Sequence, residues 1–198
     1  MWGARMKNCL SNESITAWCN YDELNFINPA FTVSFSGHRP DRLPGKGDPN
    51  TMEAQKLILA LRKQIEDAVR CGKIFYLHGG MAGFDIFAGE QVIEMKKQYP
   101  QIQLVTVAPY KQQFFSREKC WTPDWISRAQ NVFDKQDIGV KIAEYYRKGI
   151  YYKRNRALIN HSSLLISYHD GGAGGTKFTI DYAKEKGLTV RNLYEGVE

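Results

Sequence analysis

Short apolar runs alternate with amphipathic stretches along most of the chain. Phe31-Thr32-Val33-Ser34-Phe35 is rich in β-formers and ends at Ser36-Gly37. Ile74 to His78, Leu104 to Ala108, Leu164 to Tyr168 and Leu188 to Leu193 read as further strands, the Leu104 strand ending at Pro109. Between the first two runs, Leu57, Leu61, Ile65, Ala68 and Val69 fall on one stripe and predict a helix over Met52 to Cys71. Gly72 stands where a C-cap glycine belongs. Phe84 to Tyr99 predicts a second helix stopped by Pro100, Tyr151 to Asn160 a basic helix, and Lys177 to Lys186 a last one. Strands alternating with helices of this length predict an α/β fold, a three-layer αβα sandwich on a mainly parallel sheet.

Two regions break the pattern. Residues 1–29 read as an N-terminal extension, leaving 30–198 as one domain. Ser11 to Ser14 would cap a short helix through Ile15, Trp18 and Cys19, and Asn28-Pro29 marks a break. The extension is expected to pack on the main domain or on a partner subunit. From Tyr110 to Ile150 the order is less clear. Phe114, Phe115, Trp121 and Trp125 predict two short helices against the sheet edge, or a dimer surface, and Val132-Phe133 the start of a short strand.

Composition narrows the class. At 198 residues, with 43% hydrophobic and 24% charged residues, the chain is long enough for one domain with a real core. Its net charge of +6 suits phosphorylated small molecules as well as nucleic acid, but no run of five basic residues marks a nucleic-acid tail. Cys9, Cys19, Cys71 and Cys120 form no C-x-x-C pair, so reduced thiols, a cytoplasmic location and no metal are expected. No apolar run reaches the ~20 residues that span a bilayer, and no signal-peptide h-region is apparent, so no membrane partner is expected.

Two glycine-rich stretches carry the candidate chemistry, each after a strand and before a helix. They are Gly79-Gly80-Met81-Ala82-Gly83 and Gly171-Gly172-Ala173-Gly174-Gly175-Thr176. Glycine lets a backbone approach an anion closely, and a helix N-terminus offers N–H groups and partial positive charge. Both turns fall at strand C-terminal ends, where ligands of such sheets bind. In the second, backbone N–H groups and the Thr176 hydroxyl would cradle phosphate. Arg39 would clamp phosphate or form a surface ion pair, and His38 would touch ligand or order its loop. Asp85 would cap a helix or meet a ribose hydroxyl, and Asp170 would organise its loop or meet sugar hydroxyls. Arg154 and Arg156, two apart on one helix, point to different faces. Ser162 and Ser163 read as strand lead-in.

Three blocks resemble the YpsA-like proteins of the SLOG superfamily, which joins DNA processing protein A with the Lonely Guy phosphoribohydrolases. Ser36-Gly37-His38-Arg39-Pro40 resembles the opening motif, and Gly80-Met81-Ala82-Gly83-Phe84-Asp85 the second-strand motif. Arg154-Asn155-Arg156, His161 to Ser167 and Asp170 to Thr176 resemble the third. The likeness covers residues 31–195 and implies a Rossmann-like fold. It also implies a ligand site drawn from Ser36, Gly37, His38, Arg39, Gly79, Gly80, Met81, Gly83, Asp85, Pro109, Arg154, Asp170, Gly171, Gly172, Gly174, Gly175 and Thr176. Among the arginines, the resemblance favours Arg154. The Lonely Guy enzymes place a catalytic glutamate three residues after the loop threonine, where this chain has Thr179.

The leading expectation is binding of a nucleotide or nucleotide-derived signal, cyclic ADP-ribose-like species included, for sensing or sequestration. No cofactor beyond that ligand is expected, and a homo-oligomer is. One alternative is an N-glycosidase or phosphoribohydrolase acting on a nucleoside phosphate or NAD-like substrate, which lacks its carboxylate at Thr179. The other is a single-stranded DNA-binding recombination accessory protein, whose nearest basic-aromatic candidates are Tyr151, Tyr152, Lys153, Arg154 and Arg156.

Overall fold

The computed structural model describes residues 18–110 and 119–194. Seven strands form one sheet: β1 (Cys19–Asn20), β2 (Thr32–Gly37), β3 (Phe75–His78), β4 (Gln103–Tyr110), β5 (Ile138–Ala143), β6 (Leu164–Tyr168) and β7 (Thr189–Asn192). Their order is β1-β5-β4-β3-β2-β6-β7, and every neighbouring pair is parallel. The chain thus works outward from β2 through β3, β4 and β5, then crosses to the other side of β2 for β6 and β7. The β2/β6 boundary is the topological switch point, where a crevice opens beyond the strand ends.

Side-chain alternation along the strands builds both faces. Val33, Phe35, Tyr76, Leu104 and Ile166 pack against α1 (Met52–Arg70), α2 (Phe84–Met95) and α3 (Pro123–Asp134). The intervening Leu77, Val105, Val107 and Leu165 face α4 (Ile150–Asn160) and α5 (Gly175–Glu185). The stripe read from the sequence holds in α1, whose Leu57, Leu61, Ile65 and Ala68 are buried. Thr51 caps its first turn, its hydroxyl accepting from the Ala54 N–H at 3.2 Å.

Residues ahead of β2 join this framework. Cys19–Asn20 adds a two-residue strand beside β5, and a 3₁₀ turn at Tyr21–Phe26 buries Leu24, with Ile27 behind it, in the cluster under α4. The predicted cap at Ser11 to Ser14, Ile15 of the predicted helix, and Phe114 and Phe115 lie outside the described residues, while Cys19, expected in that helix, is instead drawn into β1 by parallel pairing with Val140 of β5.

Two local expectations are corrected. Val132 and Phe133 sit in α3 rather than a strand. Thr122 as cap, Pro123 at the first position and buried Trp125, Ala129, Val132 and Phe133 at helical spacing override their β propensity. Pro109 does not end its strand, since β4 runs on to Tyr110. The β3 register stops at His78 opposite Thr106, so β4 is paired only with β5 beyond that point, where a proline is tolerated.

Candidate functional site

A cavity of about 240 Å³ opens at the switch point. The end of β2 supplies Ser36 and Gly37, the segment after it His38, Arg39, Asp41 and Arg42, and the segment after β6 supplies His169 and Ala173 to Thr176. Asp85 enters from the first turn of α2. The fourth wall is one stripe of α4, where Tyr151, Arg154, Asn155 and Leu158 follow the i, i+3, i+4, i+7 spacing of a single helix face.

At the base of the cavity lies a buried ion pair. Arg154 Nη1 donates to Asp85 Oδ2 at 3.0 Å, and the two side chains are only 7% and 9% exposed. Gly79 makes the pair possible: a Cβ there would stand 0.9 Å from Arg154 Nη1 and 2.7 Å from Asp85 Oδ2. Burial makes it harder for Arg154 to hold its charge, with Asp85 opposing that effect and the nearby Arg39 charge adding to it. Arg154 Nε is buried with no hydrogen-bond partner among the described residues. The Asp85 carboxylate is engaged through Oδ2, which also accepts the Met81 N–H at 3.4 Å.

A tight backbone contact fixes the height of Asp85. Gly83 has φ 105°, and a Cβ there would meet the His38 carbonyl oxygen at 2.4 Å. That same carbonyl accepts the Phe84 N–H at 2.9 Å, which locks the start of α2 to the β2 loop. Gly37 is needed for the same approach, since its Cβ would fall 2.5 Å from Phe84 Cβ.

The rim is a wired loop. His169 Nδ1 accepts the Gly171 N–H at 3.1 Å while Nε2 lies 2.8 Å from the Gly172 carbonyl, which fixes the Nε2–H tautomer. Asn192 of β7 holds the His169 backbone from both sides, at 3.0 Å and 2.8 Å. Asp170 turns outward, takes the Gly172 N–H at 3.0 Å and binds the Arg42 guanidinium through both oxygens. These contacts hold its carboxyl well below the usual carboxylate range. His38 Nε2 lies 3.0 Å from Asp170 Oδ1 and 3.1 Å from the Asp170 backbone nitrogen. Burial, then the Arg42 charge, lowers the His38 pKa, against the pull of Asp170.

His38, His169 and Asp170 place ligand-type atoms within 4.8 Å of one another, a grouping the sequence reading missed. Both His169 nitrogens and both Asp170 oxygens are already engaged by the loop and by Arg42, so the trio reads as loop architecture rather than a cation site.

The N-terminus of α5 closes the last side. Its N-cap, Gly174, provides no side-chain cap. Thr176 Oγ1 donates to the Gly37 carbonyl at 3.0 Å, tying α5 to β2. Thr179 is fully buried and its hydroxyl donates to the Gly175 carbonyl at 2.8 Å, so the position of the Lonely Guy glutamate faces the helix, not the cavity.

The glycine turns after parallel strands, the SLOG-type blocks and this switch-point cavity agree with a comparison across families. The profile described as the YspA SLOG family, YpsA, matches residues 33–194, from β2 past the end of β7. The chain belongs to the YpsA family of SLOG proteins. It is 27% identical over 151 residues to the uncharacterized SPbeta prophage-derived protein YoqJ of Bacillus subtilis (strain 168), covering 70% of this chain and 84% of that protein. It is 25% identical over 159 residues to a UPF0398 protein of Bacillus thuringiensis (strain Al Hakam), covering 78% and 83%. The X-ray structure of DNA processing protein A (DprA) from Streptococcus pneumoniae matches with a TM-score of 0.51 at 18% identity. That likeness shows the Rossmann-like fold, and it covers 86% of this chain but only 51% of the DprA chain.

In this YpsA-family chain the predicted residues divide into two groups. Ser36, Gly37, His38, Arg39, Asp85, Arg154, Gly174, Gly175 and Thr176 line the cavity. Gly79, Gly80, Met81 and Gly83 lie behind Asp85, Gly171 and Gly172 belong to the rim, Asp170 turns toward Arg42, and Pro109 is buried in β4. Arg156 lies on the outer face of α4, over the rings of Phe178 and Tyr182. The sequence reading missed Asp41, Arg42, Leu158 and His169, and had Tyr151, Asn155 and Ala173 only as a DNA-binding candidate or within the motif blocks. The helical spacing of Tyr151, Asn155 and Leu158 about Arg154 was the available signal for three of them. Among the described residues, no helix is long and apolar enough to cross a membrane.

Proposed function

We propose that the chain binds a nucleotide or nucleotide-derived ligand at the switch-point cavity. Phosphate sits against Arg154, Arg39 and the first turn of α5, and ribose meets Asp85. The observation that carries this reading is three guanidinium groups, Arg39, Arg42 and Arg154, on one cavity, Arg42 paired with Asp170 and the buried Arg154 with Asp85 yet still feeling the charge of Arg39. Bringing like charges together in a low-dielectric site is costly unless an anion joins them. The uncapped start of α5 adds N–H donors and a favourable dipole on the opposite wall.

Size favours a mononucleotide. The cavity of about 240 Å³ lies below the ~300–1,000 Å³ of drug-sized ligand sites, which suits a phosphate and one ribose better than a cyclic ADP-ribose-like molecule. The hydrolase alternative has less support, because Thr179 is buried and Asp85 is paired with Arg154. The DNA-binding alternative draws on the likeness to DNA processing protein A, which is one of fold.

Isothermal titration with AMP, cyclic ADP-ribose and inorganic phosphate tests the reading. AMP is expected to bind, and Arg154→Ala and Arg39→Ala each to weaken it at least tenfold. Absence of heat and of thermal stabilisation with all three ligands would refute it.

A further inference from the structure

We infer that Tyr110, Tyr146 and Tyr151 form a seat for an aromatic base, so that the site selects nucleotides over sugar phosphates. The inference rests on the phosphate reading above. Tyr151 is the link, because it lines the cavity one helical turn before Arg154 on the same face of α4. The cavity has room for the phosphate and ribose, so a base attached to that ribose must leave past a wall, and the α4 wall ends in this ring.

The three tyrosines come from different elements and meet at the strand C-terminal edge. Tyr110 ends β4, Tyr151 opens α4, and Tyr146 lies in the connection between β5 and α4. Ring centroids are 6.0 Å apart for Tyr110 and Tyr146, 6.4 Å for Tyr110 and Tyr151, and 6.4 Å for Tyr146 and Tyr151. The contacts are edge-on or tilted, none stacked face to face. The phenol oxygens of Tyr110 and Tyr151 lie 3.5 Å apart, which braces the two inner rings. Tyr146 remains 61% exposed. A braced aromatic cluster with an exposed ring beside a cationic cavity has the makeup of a base-stacking platform, where every base offers a π-face. It carries no evident hydrogen-bond code, so it discriminates base from no base rather than one base from another.

Matched titrations with AMP and ribose 5-phosphate separate this inference from the phosphate reading. Wild-type protein is expected to bind AMP roughly five- to hundredfold more tightly, the range of one base–aromatic stack. Tyr146→Ala is expected to shrink that gap while leaving ribose 5-phosphate affinity unchanged, and Tyr146→Phe to keep it. Equal affinity for both ligands in the wild type would overturn the base seat and leave the phosphate reading standing. Binding of neither would overturn both. If Tyr146→Ala changes the solution mass by light scattering but not the AMP preference, the ring belongs to an interface between copies, and the base seat is refuted.

Discussion

Replacing Gly79 with alanine tests the architecture of the site with one methyl group. Gly79 is not among the glycines with positive φ, so alanine suits its backbone. The obstacle is the guanidinium, since the new Cβ would stand 0.9 Å from Arg154 Nη1. An arginine can swing aside, so the cost is not the overlap itself. It is the loss of the 3.0 Å contact to Asp85, a carboxylate only 9% exposed. Losing a charge-assisted hydrogen bond costs ~1.5–3 kcal/mol, and breaking a buried pair ~3–5 kcal/mol. With the guanidinium rehydrated in the cavity, the expected loss is about 2–4 kcal/mol, or roughly 5–15 °C in Tm for a domain of this size. The assay is thermal and urea unfolding of Gly79→Ala in the wild-type and Arg154→Ala backgrounds. Arg154→Ala alone is expected to cost ~3–5 kcal/mol, because Asp85 is left unpaired. With the arginine gone, only the 2.7 Å approach to Asp85 Oδ2 remains, and Gly79→Ala is expected to cost clearly less than in the wild type. Equal costs in the two backgrounds would refute the argument.

Three further outcomes are expected. His78 is fully buried and its pKa is pushed down to about 4, chiefly by burial. Its unfolded counterpart binds a proton near 6.5, so stability is complete above that pH and falls by about 3 kcal/mol as pH drops through 4, with the lowered His38 pKa acting in the same direction. Urea denaturation from pH 7 to 4 should show this limb, and His78→Gln should flatten it; an unchanged slope would exclude His78 as its source. Asp170→Ala is expected to speed amide exchange across residues 171–175 while Tm moves by less than about 3 °C, because the pair with Arg42 is largely exposed; a large Tm loss without faster exchange would contradict the loop role. Thr179→Glu is expected to destabilise by at least ~2 kcal/mol, since it buries a carboxyl group against α5, and to release no free base from AMP; a stable variant that releases adenine would revive the hydrolase reading.

Strands β2, β3, β4, β6 and β7 were legible as apolar runs, as in Leu164 to Tyr168, which matches β6 residue for residue, whereas the two-residue β1 and the half-buried β5, with Gly139 and Lys141 in it, were not. Arg154 and Asp85 were legible through the family blocks, but their pairing was not, since 69 residues separate them. Nor was the reason for Gly79: the sequence suggests room for a phosphate, while the structure shows room for a guanidinium. His169 escaped notice because its work is done through backbone atoms two and three residues on, a pattern with no periodic signature. Val132 and Phe133 misled because β-branched and aromatic residues favour strands locally, and only packing against the core reveals the helix.

The sheet is finished at both margins by its slighter strands, two residues in β1 and four in β7. Such brief borders offer few unsatisfied backbone groups to a neighbouring polypeptide, a protection against edge-to-edge polymerisation. Among the described residues, helices and loops are thus the broader surfaces that a second copy would meet, and an assembly built on them would grow sideways from the layers rather than by lengthening the sheet.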